Sequence, residues 1–119
     1  MATAPAPKRG EIWFVDFDPS VGAEIRKTRP AVVISRDSIG RLPLRIVVPI
    51  TDWKAAYAAF PWFVHLPAIR ANGLAKRSEA DAFQIKSVAE SRFVRKLGVV
   101  TRNQLNEIAS AIALCVGAP

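Results

Sequence analysis

The sequence predicts a mainly β fold, a small and partly open β-barrel closed by one C-terminal helix. Three observations lead there. Short apolar or alternating segments recur from Glu11 to Lys86, with Pro or Gly between them. Leu105, Ile108, Ala109, Ile112 and Val116 then fall at helical spacing. The 119 residues, 50% of them apolar, suffice for one core and show no break in composition. A single domain over residues 9–119 is expected, after an Ala- and Pro-rich lead-in over residues 1–8 that has nothing to bury and reads as disordered.

Glu11 to Phe17 is dense in aromatic and β-branched residues and is stopped by Asp18-Pro19, which marks a buried first strand. The polar stretch from Asp18 to Pro30, with Ser20 and Gly22, is too long for a tight hairpin and reads as a mobile loop. Ala31 to Ser35 and Leu44 to Thr51 are the second and third strands, and the Gly40 linker is short enough to make them antiparallel neighbours. Asp52 to Ala59 carries helix formers for one or two turns before Phe60-Pro61 ends them. Trp62 to Leu66 resumes the strand pattern. After Pro67 and an Asn72-Gly73 turn, Ser78 to Lys86 alternates: Ala80, Ala82 and Gln84 share one face, Glu79, Asp81, Phe83 and Ile85 the other. Thr101 and Gln104 have the spacing of a capping box at the start of the last helix, and Gly117 follows its end. About five short strands need their edges hidden and their apolar face covered, which a barrel with a closing helix achieves.

Lys and Arg number 17 against 10 Asp and Glu, a formal charge of +7, so a polyanion is the expected partner. The cations concentrate in two blocks. Arg26, Lys27, Arg29, Arg36, Arg41 and Arg45 flank the early strands, and Arg70, Lys76, Arg77, Lys86, Arg92, Arg95 and Lys96 occupy later connections. Trp53, Tyr57, Phe60 and Trp62 lie between the blocks, where aromatic rings can stack unpaired bases. No stretch is apolar enough for a membrane span or a secretory signal, so a cytoplasmic protein is expected. One cysteine, Cys115, and one histidine, His65, cannot supply the four ligands of a structural zinc site, and no metal or cofactor is expected. A lone His65 also excludes a two-histidine acid–base pair, and its strand position points to a structurally satisfied imidazole; Cys115 reads as packing. The chemistry-bearing pair is Arg29, at the mouth of one apolar strand, and Thr51, at the end of the next. If those strands lie side by side, a guanidinium and a hydroxyl converge on one phosphate.

Arg9-Gly10-Glu11-Ile12-Trp13, Asp18-Pro19 to Gly22 with Glu24, Arg29 to Ser35, Val48-Pro49-Ile50-Thr51, Gly73-Leu74 with Ser78, Gln84-Ile85 and Arg92 to Gly98 resemble, in order, the MazF/PemK family of bacterial toxins. The resemblance covers nearly the whole chain from about Lys8. It implies an SH3-like barrel of the MazF/PemK/CcdB type, a homodimer, metal-independent cleavage of single-stranded RNA, and neutralisation by a cognate antitoxin that is acidic and partly disordered and covers the RNA groove. By position, Arg29 and Thr51 match catalytic residues of the family and Glu24 an acidic residue implicated in activity. Arg26, Lys27, Ser78 and Gln84 are the corresponding candidates for RNA contact. Arg29 suits charge stabilisation and leaving-group protonation, because its guanidinium stays protonated and grips phosphate through two donors. The chain departs from the family pattern at Phe83, where an aspartate is usual before the Gln-Ile pair, and at Glu79 and Asp81, where apolar or neutral residues are usual. A gyrase-poisoning toxin of the same fold and a non-catalytic nucleic-acid-binding barrel are the alternatives, and neither requires the Thr51 hydroxyl.

Overall fold

The structure, a computed structural model, describes residues 6–39 and 42–119. Most of the expected lead-in, together with Gly40 and Arg41 of the linker, lies outside the described residues. The folded region begins earlier than Arg9: Pro7 is buried, and its carbonyl accepts Arg45 Nε at 2.9 Å.

Seven strands form one antiparallel, unclosed sheet: β1 (Glu11–Asp16), β2 (Thr28–Val33), β3 (Leu44–Asp52), β4 (Phe63–Leu66), β5 (Ser78–Asp81), β6 (Lys86–Ala89) and β7 (Phe93–Val99). The order is β4-β5-β3-β2-β1-β7, with β6 paired to β3. The helix α1 spans Arg102–Cys115. No helix among the described residues is long and apolar enough to cross a membrane.

The Ala31 to Ile34 and Val47 to Ile50 runs are apolar without alternation because both faces of β2 and β3 are buried there. Val32, Ile34, Val48 and Ile50 join Ile12, Val64, Leu66 and Ile108 in the core beneath α1. Ala31, Val33 and Val47 join Val15, Phe17 and Val88 in a second core on the other face. The capping box holds α1 in place, with Gln104 N donating to Thr101 Oγ1 at 3.1 Å and Thr101 N to Gln104 Oε1 at 2.9 Å.

β3 changes partner along one edge. It pairs β6 through Leu44–Val47 and β5 through Ile50–Asp52. Pro49, which has no N–H to donate, falls in the gap between them.

Two expectations are corrected. Ser78 to Lys86 is not one strand: β5 ends at Asp81, a 3-10 turn runs Ala82–Gln84, and β6 begins at Lys86. Arg95 and Lys96 are strand residues of β7 rather than part of a connection. The helical stretch expected before Phe60 is present as a short 3-10 helix, Ala55–Ala59, which Phe60 caps.

Candidate functional site

β2 and β3 are antiparallel neighbours with Ala31 opposite Pro49 and Val33 opposite Val47. Continuing that register by one pleat sets Arg29 opposite Thr51, and the period-two alternation puts both side chains on one face. β5 extends the row, since Thr51 pairs with Glu79 and Glu79 with His65 on β4. Arg29, Thr51, Glu79 and His65 therefore follow one another across four strands.

Two cavities meet at Arg29 and Thr51 and share no other lining residue. The smaller, about 230 Å3, is polar and is lined by Glu24, Arg26, Tyr57, Asp81 and Gln84. The larger, about 350 Å3, has Phe14, Pro30, Ile50, Leu74 and Leu97 on its walls and Lys76, Ser78 and Arg95 among its polar groups. Of the residues singled out from the sequence, Arg29, Thr51, Glu24, Arg26 and Gln84 come together in the first cavity and Ser78 in the second. Lys27 lines neither: it occupies a turn at φ +67°, and its N–H donates to Asp18 Oδ1 at 2.9 Å.

The loop between β1 and β2 is braced by side chains. Ile25 N donates to Gln84 Oε1 at 2.6 Å, Val21 N to Glu24 Oε1 at 2.7 Å, and Arg92 Nη1 to Asp16 O at 3.0 Å. Arg29 Nε donates to Arg26 O at 3.0 Å, which aims the guanidinium while leaving its terminal nitrogens without a protein partner among the described residues. Ser78 Oγ donates to Lys76 O at 2.8 Å, a bracing contact on the cavity wall.

The aromatic residues largely engage one another. Tyr57 stacks on Phe63 at 4.0 Å between centroids, Phe60 on Trp62 at 4.8 Å, and Arg77 lies over Trp53 at 3.9 Å. His65 is 43% exposed and has Glu79 as its partner, with Nδ1 3.7 Å from Glu79 Oε1. Cys115 packs against the core under α1, and burial, with a smaller contribution from Asp81, pushes its thiol up.

The alternation in Ser78 to Lys86 missed a contribution to the site. It put Gln84 opposite Asp81, but the 3-10 turn rotates Gln84 onto the same cavity, where Asp81 Oδ1 caps the turn by accepting Phe83 N at 3.1 Å. Glu79 and Asp81 are 5% and 8% exposed. Burial raises the Glu79 carboxyl above its ordinary value against a weaker opposing pull from His65 and Arg77. Burial also raises Asp81 against hydrogen bonds from Phe83 and Gln84. The sequence signal was their shared strand face; the strand pairing needed to set Glu79 beside Thr51 is non-local.

A carboxyl with a higher pKa folded than unfolded is held protonated longer in the native state. Its ionisation therefore costs stability as pH rises from the unfolded through the folded value. Glu79→Gln is expected to flatten the loss of stability over that rise, measured by denaturant unfolding at about pH 4 and about pH 7. An unaltered difference between the two pH values would refute it.

A family model described as PemK-like, MazF-like toxin of type II toxin-antitoxin system matches residues 8–116. Endoribonuclease MazF9 of Mycobacterium tuberculosis is 38% identical over 113 residues, covering 90% of this chain and 93% of the relative. The endoribonuclease toxin MazF of Escherichia coli K12 is 32% identical over 119 residues, covering 98% and 100%. The crystal structure of MazF from Deinococcus radiodurans superposes with a TM-score of 0.80 at 25% identity, over 96% of this chain and 99% of that one. A mycobacterial endoribonuclease in complex with its cognate antitoxin matches in fold with a TM-score of 0.75 at 20% identity, over 96% and 98%.

Proposed function

This chain belongs to the PemK-like, MazF-like toxins of type II toxin-antitoxin systems, and we propose that it cleaves single-stranded RNA at short sequences through Arg29, Thr51 and Glu24, without a metal ion. It is the toxin of such a system and an endoribonuclease. The observation that carries the assignment of residues is the convergence of Arg29 and Thr51, from adjacent strand ends, on the boundary of two cavities.

RNA supplies its own nucleophile. The 2′-hydroxyl attacks the adjacent phosphorus, the bond to the 5′-oxygen of the next nucleotide breaks, and a 2′,3′-cyclic phosphate remains. The protein must hold the in-line geometry, accept the 2′ proton and neutralise charge on the non-bridging oxygens. Arg29 stabilises that charge and protonates the departing oxygen. Thr51, fixed at the end of β3, donates its hydroxyl to a non-bridging oxygen. Glu24 orients Arg29 or takes the 2′ proton, with Asp81 as a second carboxylate on the same cavity. Arg26 and Gln84 contact RNA on this side, Ser78 on the other, and Lys27 approaches the backbone from the loop. The active form is a cytoplasmic homodimer, and its antitoxin, acidic and partly disordered, covers the same groove as RNA.

Incubating the purified protein with single-stranded RNA in EDTA is expected to give fragments ending in a 2′,3′-cyclic phosphate. Thr51→Val, which keeps the shape and removes the donor, is expected to slow cleavage by about 100-fold. Intact RNA together with stalled gyrase on DNA would replace this reading with the gyrase-poisoning one.

A further inference from the structure

Among the described residues, four carboxylates line the two cavities or pair with Thr51, and their surroundings are unlike. Glu24 is on the exposed loop, where its Oε1 accepts Val21 N at 2.7 Å. Asp52 lines the larger cavity but is 59% exposed and is held by Lys76, with Nζ 3.0 Å from Oδ2. Glu79 lines neither cavity and has His65 as its partner. Asp81 is only 8% exposed, lines the smaller cavity together with Arg29 and Thr51, and makes no ion pair among the described residues. A general base has to be fixed in place, within reach of the proton and not spent on a cation, and Asp81 alone of the four meets all three conditions.

Local structure fixes it. Asp81 ends β5 and caps the following 3-10 turn by accepting Phe83 N at 3.1 Å. Gln84 adds hydrogen bonds from its backbone and its side chain. Because Gln84 Oε1 accepts Ile25 N at 2.6 Å, the amide nitrogen is the donor to Asp81, and one side chain ties the carboxylate to the loop that carries Glu24 and Arg26. Those contacts fill three of roughly four acceptor directions of a carboxylate, which leaves room for one more donor. Phe83 supplies nothing here: it is 69% exposed and packs on Trp62 at 5.7 Å between centroids. Asp81 lies two residues beyond Glu79, the partner of Thr51, so it shares a face with Thr51 and is its diagonal neighbour, roughly 7–8 Å away along the sheet. At that spacing one side chain can hold a non-bridging oxygen while the other meets the adjacent 2′-hydroxyl.

We propose that Asp81 is the catalytic base, taking the proton of the attacking 2′-hydroxyl, and that Glu24 serves to shape the loop and orient Arg29. The inference rests on the ribonuclease reading above and names the proton acceptor within it. As the bond from the 2′-oxygen to phosphorus forms, the proton moves to Asp81; the bond to the 5′-oxygen breaks, and that oxygen takes a proton from Arg29. Water then removes the proton from Asp81 and restores one to Arg29. The titratable groups facing Asp81 are Arg29 from β2, Glu24 and Arg26 from the loop, Tyr57 from the 3-10 helix and Cys115 from the end of α1. Burial, the strongest influence, raises the Asp81 carboxyl above its ordinary value, against the hydrogen bonds from Phe83 and Gln84. A carboxylate drawn out of water in this way is the more basic, which suits it to a hydroxyl proton.

The test is the pH dependence of RNA cleavage by wild-type protein and by Asp81→Asn, which keeps the shape and the acceptor for Phe83 N but cannot take a proton. In wild-type protein kcat/KM is expected to fall on the acid side through a value above that of an ordinary aspartate, because the base must be ionised to act. Asp81→Asn is expected to lose about 100-fold or more in kcat. Its acid limb is expected to vanish, leaving a rate that climbs with hydroxide concentration, a change that a merely structural role would not produce. A loss below about threefold, or an acid limb that survives unmoved in the variant, overturns the assignment. If Asp81→Asn does not fold, Glu24→Gln decides: its residual cleavage is expected to retain the limb, and loss of the limb there gives the proton to Glu24 and overturns Asp81. Absence of any RNA cleavage by wild-type protein would instead sink the ribonuclease reading itself.

Discussion

Arg29→Ala is expected to lower kcat for RNA cleavage by about 100- to 1,000-fold, the usual cost of removing a preorganised donor to a developing charge, while leaving the fold intact. In the proposed mechanism the variant lacks the cation opposite the phosphorane oxygens and the group that protonates the leaving oxygen. The fold loses little, because the side chain makes a single hydrogen bond among the described residues, Nε to Arg26 O. Arg29→Lys separates charge from geometry. Lysine keeps the charge but cannot offer two parallel donors, so it is expected to recover only part of the rate. The measurement is single-turnover cleavage of a fluorescent oligonucleotide, with thermal unfolding as the control for folding. Cleavage by Arg29→Ala within about threefold of wild type would remove Arg29 from the chemistry.

The largest expected effect on stability is at Gly98. A Cβ built there meets Ala71 O at 2.3 Å, the Asn72 carbonyl carbon at 2.6 Å and Asn72 Cα at 2.9 Å, all backbone atoms. The opposing segment cannot yield easily, because Asn72 is fully buried and holds its own turn. Asn72 Nδ2 donates to Pro67 O at 2.8 Å, and its Oδ1 accepts Leu74 N at 3.0 Å and Ile69 N at 3.2 Å. Gly73 repeats the constraint from the other side, at φ +68° with a hypothetical Cβ 2.2 Å from Leu97 O. Gly98→Ala is therefore expected to cost about 3 kcal/mol or more, or to prevent folding. Gly22→Ala is the control: at φ +59° with no atom within 4 Å of the added carbon, it carries only backbone strain and is expected to cost about 1 kcal/mol. Denaturant unfolding of the two variants decides the matter. Equal losses would show that the approach of β7 to the Arg70–Asn72 turn is not close-packed.

Local patterns were legible wherever one segment's own alternation or capping decided its conformation. The capping box at Thr101 and Gln104 formed as read, because both partners lie within one helical turn. The apolar runs of β2 and β3 were visible, although only the structure shows that they serve two cores on opposite faces. β6 and β7 escaped notice. Their residues, such as Lys86, Ser87, Arg95 and Lys96, are polar enough to pass for connections, and what makes them strands is the pairing edge offered by β3 and by β1.

By itself the sequence determined the basic charge, the mainly β fold with its closing helix, and the presence of an arginine and a threonine at two strand ends, since these follow from side-chain chemistry and short-range periodicity. Only the tertiary structure decided that β3 exchanges β6 for β5 at Pro49, that Glu79 and Asp81 are drawn out of water beside Thr51, and that two unlike cavities both reach Arg29 and Thr51. Those outcomes depend on which distant strands pair to cover both apolar faces of the sheet, a choice made by burial across the whole chain and carried by no single segment.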